Sequence, residues 1–144
     1  MDAEEVRQYF KGGIDCSQVV LGQYAEELGY DKEEAFRIAS AFGGGMFYGS
    51  TCGAVSGALI ALGMRYGHYE MNDAEQKEKL LGKVKEFLQR FTQSCSSTIC
   101  RELCGFDFSK DGELQRAMES GLLMKNCPHY VQTSLEILKD LMPE

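Results

Sequence analysis

Six cysteines are the residues of this chain whose type and placement indicate chemistry. Three of them stand where a loop is predicted to turn into a helix, namely Cys16, Cys52 and Cys127. The first N–H groups of a helix are unpaired and carry partial positive charge. Both features favour a thiolate and lower the pKa of a cysteine. Because a thiolate attacks disulfides and binds metals, the sequence predicts either redox chemistry or metal binding.

The size of the chain predicts one domain over residues 1–144. With 144 residues, 44% of them hydrophobic and 26% charged, the chain has enough apolar side chains to form a core without disulfide bridges. The cysteines therefore need an explanation other than stabilising a small fold.

Charge and hydropathy narrow the location and the partners. The acidic start has no apolar segment typical of a secretory signal, and the longest apolar run, residues 55–64, is too short to span a bilayer. We therefore expect a cytoplasmic protein, in which cysteines are mostly reduced. The net charge of −7 argues against binding to nucleic acid or to an anionic membrane surface.

Helical periodicity is frequent, and no run alternates convincingly between apolar and polar residues. The sequence predicts an all-α, single-domain bundle of about six to eight helices. The predicted helices span approximately residues 2–11, 16–29, 32–43, 52–67, 73–93, 98–104 and 111–125, with a last helix that begins at Cys127-Pro128.

The fourth predicted helix is almost entirely apolar or small, so we expect it at the centre of the bundle. Gly53, Gly57 and Ala61 recur at helical spacing and would let another backbone come close. That second backbone could belong to another copy of the chain, so a homodimer is one possible arrangement. In the helix predicted over residues 111–125, the periodicity turns Leu114 and Met118 inward, together with Leu122.

One segment and three further cysteines together resemble a known family. The segment is residues 43–63, Gly-Gly-Gly-Met-Phe-Tyr-Gly-Ser-Thr-Cys-Gly-Ala-Val-Ser-Gly-Ala-Leu-Ile-Ala-Leu-Gly, with Cys16 before it and Cys100 and Cys127 after it. The chain resembles the C_GCAxxG_C_C family of small proteins described as redox-active. The family name writes Gly-Cys-Ala, whereas this chain reads Cys52-Gly53-Ala, which is a local departure.

The resemblance implies redox or metal chemistry at the four cysteines that match the family pattern. These are the predicted catalytic residues and, where a metal or cluster binds, its ligands: Cys16, Cys52, Cys100 and Cys127. We expect Gly53 and Gly57 to lie beside a bound cofactor. Four thiolates from separate helices would suit zinc or an iron–sulfur cluster. Two redox pairs, such as Cys16 with Cys52 and Cys100 with Cys127, are the other arrangement, and the sequence does not choose between them.

The two remaining cysteines, Cys95 and Cys104, are expected to fill space in the core. On one helix, Cys100 and Cys104 would have Cβ atoms roughly 5–6 Å apart. A disulfide needs roughly 3.5–4.5 Å, so no relaxed bridge between them is expected. Cys95 and Cys100 are separated by a predicted turn and could be bridged. Cys52 is the predicted most reactive thiol, since it begins the most apolar helix beside a glycine-rich loop.

Two hypotheses on function follow. In the first, the protein is redox-active, and its four cysteines perform thiol–disulfide exchange or transfer electrons through an iron–sulfur cluster, with an unidentified redox partner protein. In the second, it is a non-catalytic module with structural zinc that recognises a partner protein. Removal of the metal separates them, because a structural zinc site is coupled to folding.

Overall fold

The structure of the chain, a computed structural model, describes residues 1–143. Within this range it contains eight α-helices, one short irregular helical segment and no strand. The α-helices are α1 (Ala3–Lys11), α2 (Cys16–Ala25), α3 (Lys32–Ala39), α4 (Gly53–Tyr66), α5 (Ala74–Cys95), α6 (Cys100–Cys104), α7 (Glu113–Ser120) and α8 (Leu122–Leu141), and the irregular segment is Gly45–Gly49. The all-α prediction is confirmed, although these elements slightly outnumber the predicted six to eight.

Aspartate caps explain where several helices begin. Asp2 accepts a hydrogen bond from the backbone N–H of Glu5 at 2.9 Å, and Asp31 accepts one from Glu34 at 3.2 Å. Such caps satisfy N–H groups that have no partner inside the helix. Helix α5 begins after Asp73, one residue later than predicted, because Asp73 caps it and Asn72 has a left-handed backbone with φ of 68°.

Helix α4 lies at the centre of the bundle, as predicted, and packs against α2, α5 and α8. Its inward face is fully buried along Ala54, Val55, Ala58, Ala61 and Leu62. Two buried hydroxyl groups fix its position against α8. The hydroxyl of Ser134 donates to the carbonyl of Ala54 at 2.8 Å, and that of Tyr66 donates to the carbonyl of Leu141 at 2.8 Å.

The small residues of α4 are used inside the chain. A Cβ atom at Gly57 would lie 2.5 Å from the carbonyl oxygen of Ser17, so only glycine lets α2 approach this closely. The prediction that another backbone comes close is therefore confirmed. Since α2 of the same chain covers this face, the face offers no support for a homodimer.

The boundary between the last two helices differs from the prediction. Gly121, with φ of 75°, ends α7, and α8 begins at Leu122 instead of at Cys127-Pro128. A left-handed glycine is a common way to end a helix. As a result, Leu114, Met118 and Leu122 are 40–68% exposed and do not point into the core as predicted.

None of the helices formed by residues 1–143 combines the length and the apolar character needed to cross a membrane.

Candidate functional site

Five of the six cysteines line one cavity of about 250 Å³. They are the four predicted site residues and one more: Cys16, Cys52, Cys100, Cys127 and Cys104. Most other side chains in the wall are aromatic or aliphatic. The structure therefore brings together the four cysteines that the sequence singled out, although they come from four different helices or helix ends.

Cys16 is the first residue of α2, as predicted. Its sulfur lies against Gly53, in the space that a side chain at position 53 would occupy. Gly53 is part of the cavity wall, whereas Gly57 is not. The packing of α2 therefore accounts for Gly57, and of the two predicted cofactor-binding glycines only Gly53 lies at the cavity.

Cys52 and Cys100 each follow directly after one residue of an isolated antiparallel β-bridge, which pairs Thr51 with Ile99. The N–H of Cys52 donates to the carbonyl of Thr98 at 2.7 Å, and the N–H of Cys100 donates to that of Ser50 at 2.6 Å. These two hydrogen bonds hold the start of α4 beside the start of α6. Each start carries a cysteine that faces the cavity.

Cys127 is not at a helix start, contrary to the prediction, but inside α8 and directly before Pro128. Proline inside a helix has no N–H for the carbonyl four residues earlier, which here is that of Met124. The Nε of Arg7 donates to this carbonyl at 3.0 Å. Arg7 thus replaces the missing donor, which explains why α8 continues through Pro128.

Cys104 is the last residue of α6, directly before Gly105, whose backbone is left-handed with φ of 83°. Its sulfur lies 3.9 Å from the sulfur of Cys100 and accepts a hydrogen bond from the N–H of Phe106 at 3.4 Å. The expectation that Cys104 only fills space missed this placement. The i, i+4 spacing of Cys100 and Cys104 indicated that the two could meet on one helix, but not which way the sulfur of Cys104 turns.

Cys95 stays outside the cavity wall. It packs against the main core, and a hydrogen bond with Thr133 partly offsets the effect of burial, which raises the pKa of its thiol. This agrees with the space-filling role expected for it.

Burial dominates the electrostatics of three thiols. It raises the pKa of Cys16, raises that of Cys52 well above its ordinary value, and raises that of Cys127 to about 12. Backbone N–H groups do lower the pKa of Cys16 and Cys52, but by less than burial raises it. The prediction that helix starts lower the pKa of Cys16 and Cys52 is wrong in sign, because desolvation outweighs the helix terminus.

The Cys100–Cys104 pair behaves differently. The sulfurs of Cys100 and Cys104 share a hydrogen bond in which either can donate, and this pairing lowers the pKa of Cys104 to about 6 and raises that of Cys100. The N–H groups of Phe106 and of Cys104 itself also lower the pKa of Cys104. A thiol that donates to a neighbouring sulfur favours the thiolate form of that neighbour. Cys104 is therefore the most acidic cysteine in the cavity, whereas burial raises the pKa of Cys52, the predicted most reactive thiol.

A strained loop closes one side of the cavity. Four consecutive residues, Gly44 to Phe47, have a left-handed backbone, including Met46 with φ of 62° and Phe47 with φ of 52°. Gly45 is required here, because a Cβ would lie 2.7 Å from the Cβ of Cys100. Phe47 is half exposed and belongs to the cavity wall, as do the exposed Leu114 and Met118. These three side chains form the apolar rim of the cavity.

Within residues 1–143, no three His, Cys, Asp or Glu side chains lie close enough together to bind one metal ion. This arrangement does not support the structural zinc site of the second hypothesis.

No curated protein and no solved structure matches the chain. A family model does match, over residues 14–141, and that span includes all six cysteines. The family is described as "Putative redox-active protein (C_GCAxxG_C_C)". Because the match covers nearly the whole chain, the chain belongs to the C_GCAxxG_C_C family.

Proposed function

We propose that this protein is a thiol–disulfide redox protein whose reacting pair is Cys100 and Cys104. One observation carries the proposal: the two sulfurs lie 3.9 Å apart in the wall of a cavity, and one thiol donates to the other. A thiolate with a pKa near or below the ambient pH is the attacking form in disulfide exchange. A neighbouring thiol then resolves the mixed disulfide by attacking the sulfur of the first cysteine.

The exchange balances with an organic disulfide, R–S–S–R, as the oxidant. The Cys104 thiolate attacks one sulfur, forms a mixed disulfide and releases one thiolate, RS⁻. Cys100 then gives its proton to that thiolate, and its sulfur attacks the Cys104 sulfur and releases the second RS⁻. The protein dithiol is oxidised by two electrons to a Cys100–Cys104 disulfide, and the substrate is reduced to one thiol and one thiolate, RSH and RS⁻, of which the thiolate takes a proton from water according to the pH.

The short helix α6 supports reversibility. The two sulfurs must approach by roughly 2 Å to reach disulfide bonding distance. Cys104 is followed by Gly105, whose left-handed backbone a glycine adopts without strain. A bridge between adjacent turns of a helix is strained, and strained disulfides are the readily reduced ones.

Oxidation of the reduced protein with one equivalent of a small disulfide, followed by mass-spectrometric mapping of the bridges, tests this proposal. We expect a single major bridge between Cys100 and Cys104. In the Cys104→Ser variant, no bridge should form as fast as the Cys100–Cys104 bridge of the wild type. Cys95→Ser, which changes a cysteine outside the cavity, should react like the wild type. A dominant bridge between any other two cysteines would overturn the proposal.

An iron–sulfur cluster is the second candidate function, and a specific observation favours it. Backbone N–H groups near the sulfur of Cys16, those of Gly44 and Ser17, and near that of Cys52, those of Ala54 and Val55, act to lower the pKa of the two thiols. Such donors stabilise negative charge on sulfur, yet burial opposes that charge while the sulfurs are free thiols. The donor set suits a cluster, which four cysteine thiolates bind.

The residues that would hold a cluster are the four that match the family pattern: Cys16, Cys52, Cys100 and Cys127. When bound, a cluster supplies one-electron transfer. The Gly53 backbone packs directly against the Cys16 sulfur. The amounts of iron and zinc per chain, measured on protein purified without oxygen, separate the candidates. Near-stoichiometric iron supports the cluster, and protein that contains neither iron nor zinc supports the dithiol.

A further inference from the structure

We propose that the cavity selects small, uncharged disulfides as substrates and discriminates against anionic ones. This inference rests on the proposed thiol–disulfide exchange at Cys100 and Cys104 and adds the substrate class. It follows from three properties of the cavity, namely its size, its apolar wall and the sign of its charges.

The first property is size. At about 250 Å³, the cavity is smaller than the ~300–1,000 Å³ of typical pockets for drug-sized ligands. A disulfide must bring one of its sulfurs to the Cys104 sulfur inside this space. Two short substituents fit such a cavity, whereas a disulfide of two peptides must leave most of its atoms outside the rim.

The second property is the apolar wall. Besides the cysteines, the cavity is lined by side chains such as Phe10, Phe108, Leu123 and Met124, and its rim consists of Phe47, Leu114 and Met118. These surfaces gain free energy by covering apolar groups and offer little to a hydrated charge. A substrate that keeps a carboxylate near its disulfide must give up the water around that carboxylate on entry.

The third property is charge. Within residues 1–143, no Lys, Arg or His side chain belongs to the wall, so the wall itself offers no cation to pair with a carboxylate. Asp15 carries the one carboxyl group that the described residues place in the wall, and no basic side chain there offsets it. A carboxylate that enters therefore loses its water and gains no cationic partner from the wall. Both effects act against anionic disulfides.

Two linear disulfides of similar length test the inference: the neutral bis(2-hydroxyethyl) disulfide and the dianionic dithiodiglycolate. The second-order rate of oxidation of the reduced protein is measured with each, and the neutral-to-anionic ratio is divided by the same ratio for 2-mercaptoethanol. We expect a corrected ratio on the order of 100 or more at low salt. Burying an unpaired charge is costly, and each tenfold change in rate corresponds to only a modest free energy.

Matched charge variants provide the control. Leu114 at the rim and Leu81 on α5, away from the cavity, are each 46% exposed, so a lysine at either position should leave the fold intact. Leu114→Lys should lower the corrected neutral-to-anionic ratio about tenfold at low salt, because it places a cation beside the path of dithiodiglycolate, whatever it does to the rate of the neutral probe. That decrease should shrink at high salt. Leu81→Lys should change neither rate.

The outcomes separate the inference from the function on which it rests. If both probes yield the Cys100–Cys104 bridge with a corrected ratio near one, or if Leu114→Lys leaves the corrected ratio unchanged, the substrate selectivity is wrong and the dithiol chemistry stands. If neither probe yields that bridge, the proposed function is wrong and the inference falls with it.

Discussion

The sulfur of Cys16 occupies the place where a side chain at Gly53 would begin. The first residue of α2 and the first residue of α4 are therefore fitted to each other at the wall of the cavity. A glycine at the start of a helix otherwise costs backbone entropy. At this position glycine is needed despite that cost, because any side chain would occupy the space of the Cys16 sulfur.

Gly53→Ala is expected to lower the free energy of unfolding by about 1–3 kcal/mol, as overpacking does elsewhere. The added methyl group must push the Cys16 sulfur away from α4. Urea unfolding of the reduced protein measures this change. Gly63→Ala in the same helix is the control, because nothing lies within 4 Å of its Cβ position. It should raise the free energy of unfolding by roughly 0.5–1 kcal/mol; a similar gain for Gly53→Ala would contradict the close fit.

The contribution of the Arg7–Met124 hydrogen bond to the free energy of unfolding is expected to depend on Pro128. Arg7→Met leaves the Met124 carbonyl without a donor and should cost about 1–2 kcal/mol of unfolding free energy. In a Pro128→Ala background the new N–H can bond that carbonyl, so Arg7→Met should cost at least about 0.5 kcal/mol less. A double-mutant cycle by urea unfolding measures the difference.

The control for this cycle is Glu4, whose ion pair with Arg7 at 3.6 Å is largely exposed. Glu4→Gln should change the unfolding free energy by less than about 1 kcal/mol, because exposed ion pairs contribute little. Strict additivity of the Arg7 and Pro128 variants would show that Arg7 does not replace the missing donor.

The left-handed backbone at Met46 is expected to carry strain that glycine relieves. A left-handed conformation costs an ordinary residue roughly 1–2 kcal/mol, and the half-exposed Met46 side chain makes little compensating contact. Met46→Gly should therefore stabilise the protein by about 1 kcal/mol in thermal or urea unfolding. Met46→Ala keeps the strain and should give no such gain; equal effects of both variants would refute the explanation.

Stability is expected to fall at alkaline pH because of buried thiols such as Cys127. Burial raises the pKa of Cys127 to about 12, so the folded chain keeps a proton that the unfolded chain releases above its ordinary thiol pKa. Rising pH therefore favours the unfolded chain, between the ordinary thiol pKa and about 12. At pH 10, Cys127→Ser should lose about 1–2 kcal/mol less stability, relative to pH 7, than the wild type. Parallel pH dependences of the two proteins would exclude this origin.

The sequence was sufficient for the helical fold and for the meeting of four cysteines. The apolar character of α4 predicted its central place, and the family resemblance selected Cys16, Cys52, Cys100 and Cys127. The start of α8 was not predictable, because Pro128 usually stands in a first turn and only the tertiary contact from Arg7 lets it lie further inside.

The electrostatics of the site also needed the structure. Helix starts lower thiol pKa values in general, but the depth at which Cys16 and Cys52 are buried depends on how four helices pack, and this reverses the outcome. The role of Cys104 depends on which way its sulfur turns at the end of α6, and the spacing of four residues from Cys100 does not determine that. Short elements such as α6 carry too little sequence pattern for such detail.

The pH profile of Cys104 alkylation tests most directly whether the Cys100–Cys104 pair is the reactive centre. Iodoacetamide labelling, resolved for each cysteine by mass spectrometry, should give a Cys104 rate that reaches half its plateau near pH 6, matching the lowered pKa of about 6. Cys52 and Cys127 should still gain reactivity above pH 9. In Cys100→Ala, which removes the partner sulfur, the Cys104 midpoint should move up towards the ordinary value of about 8.5. A Cys104 midpoint near 8.5 in the wild type, unchanged in Cys100→Ala, would contradict the proposed reactive pair.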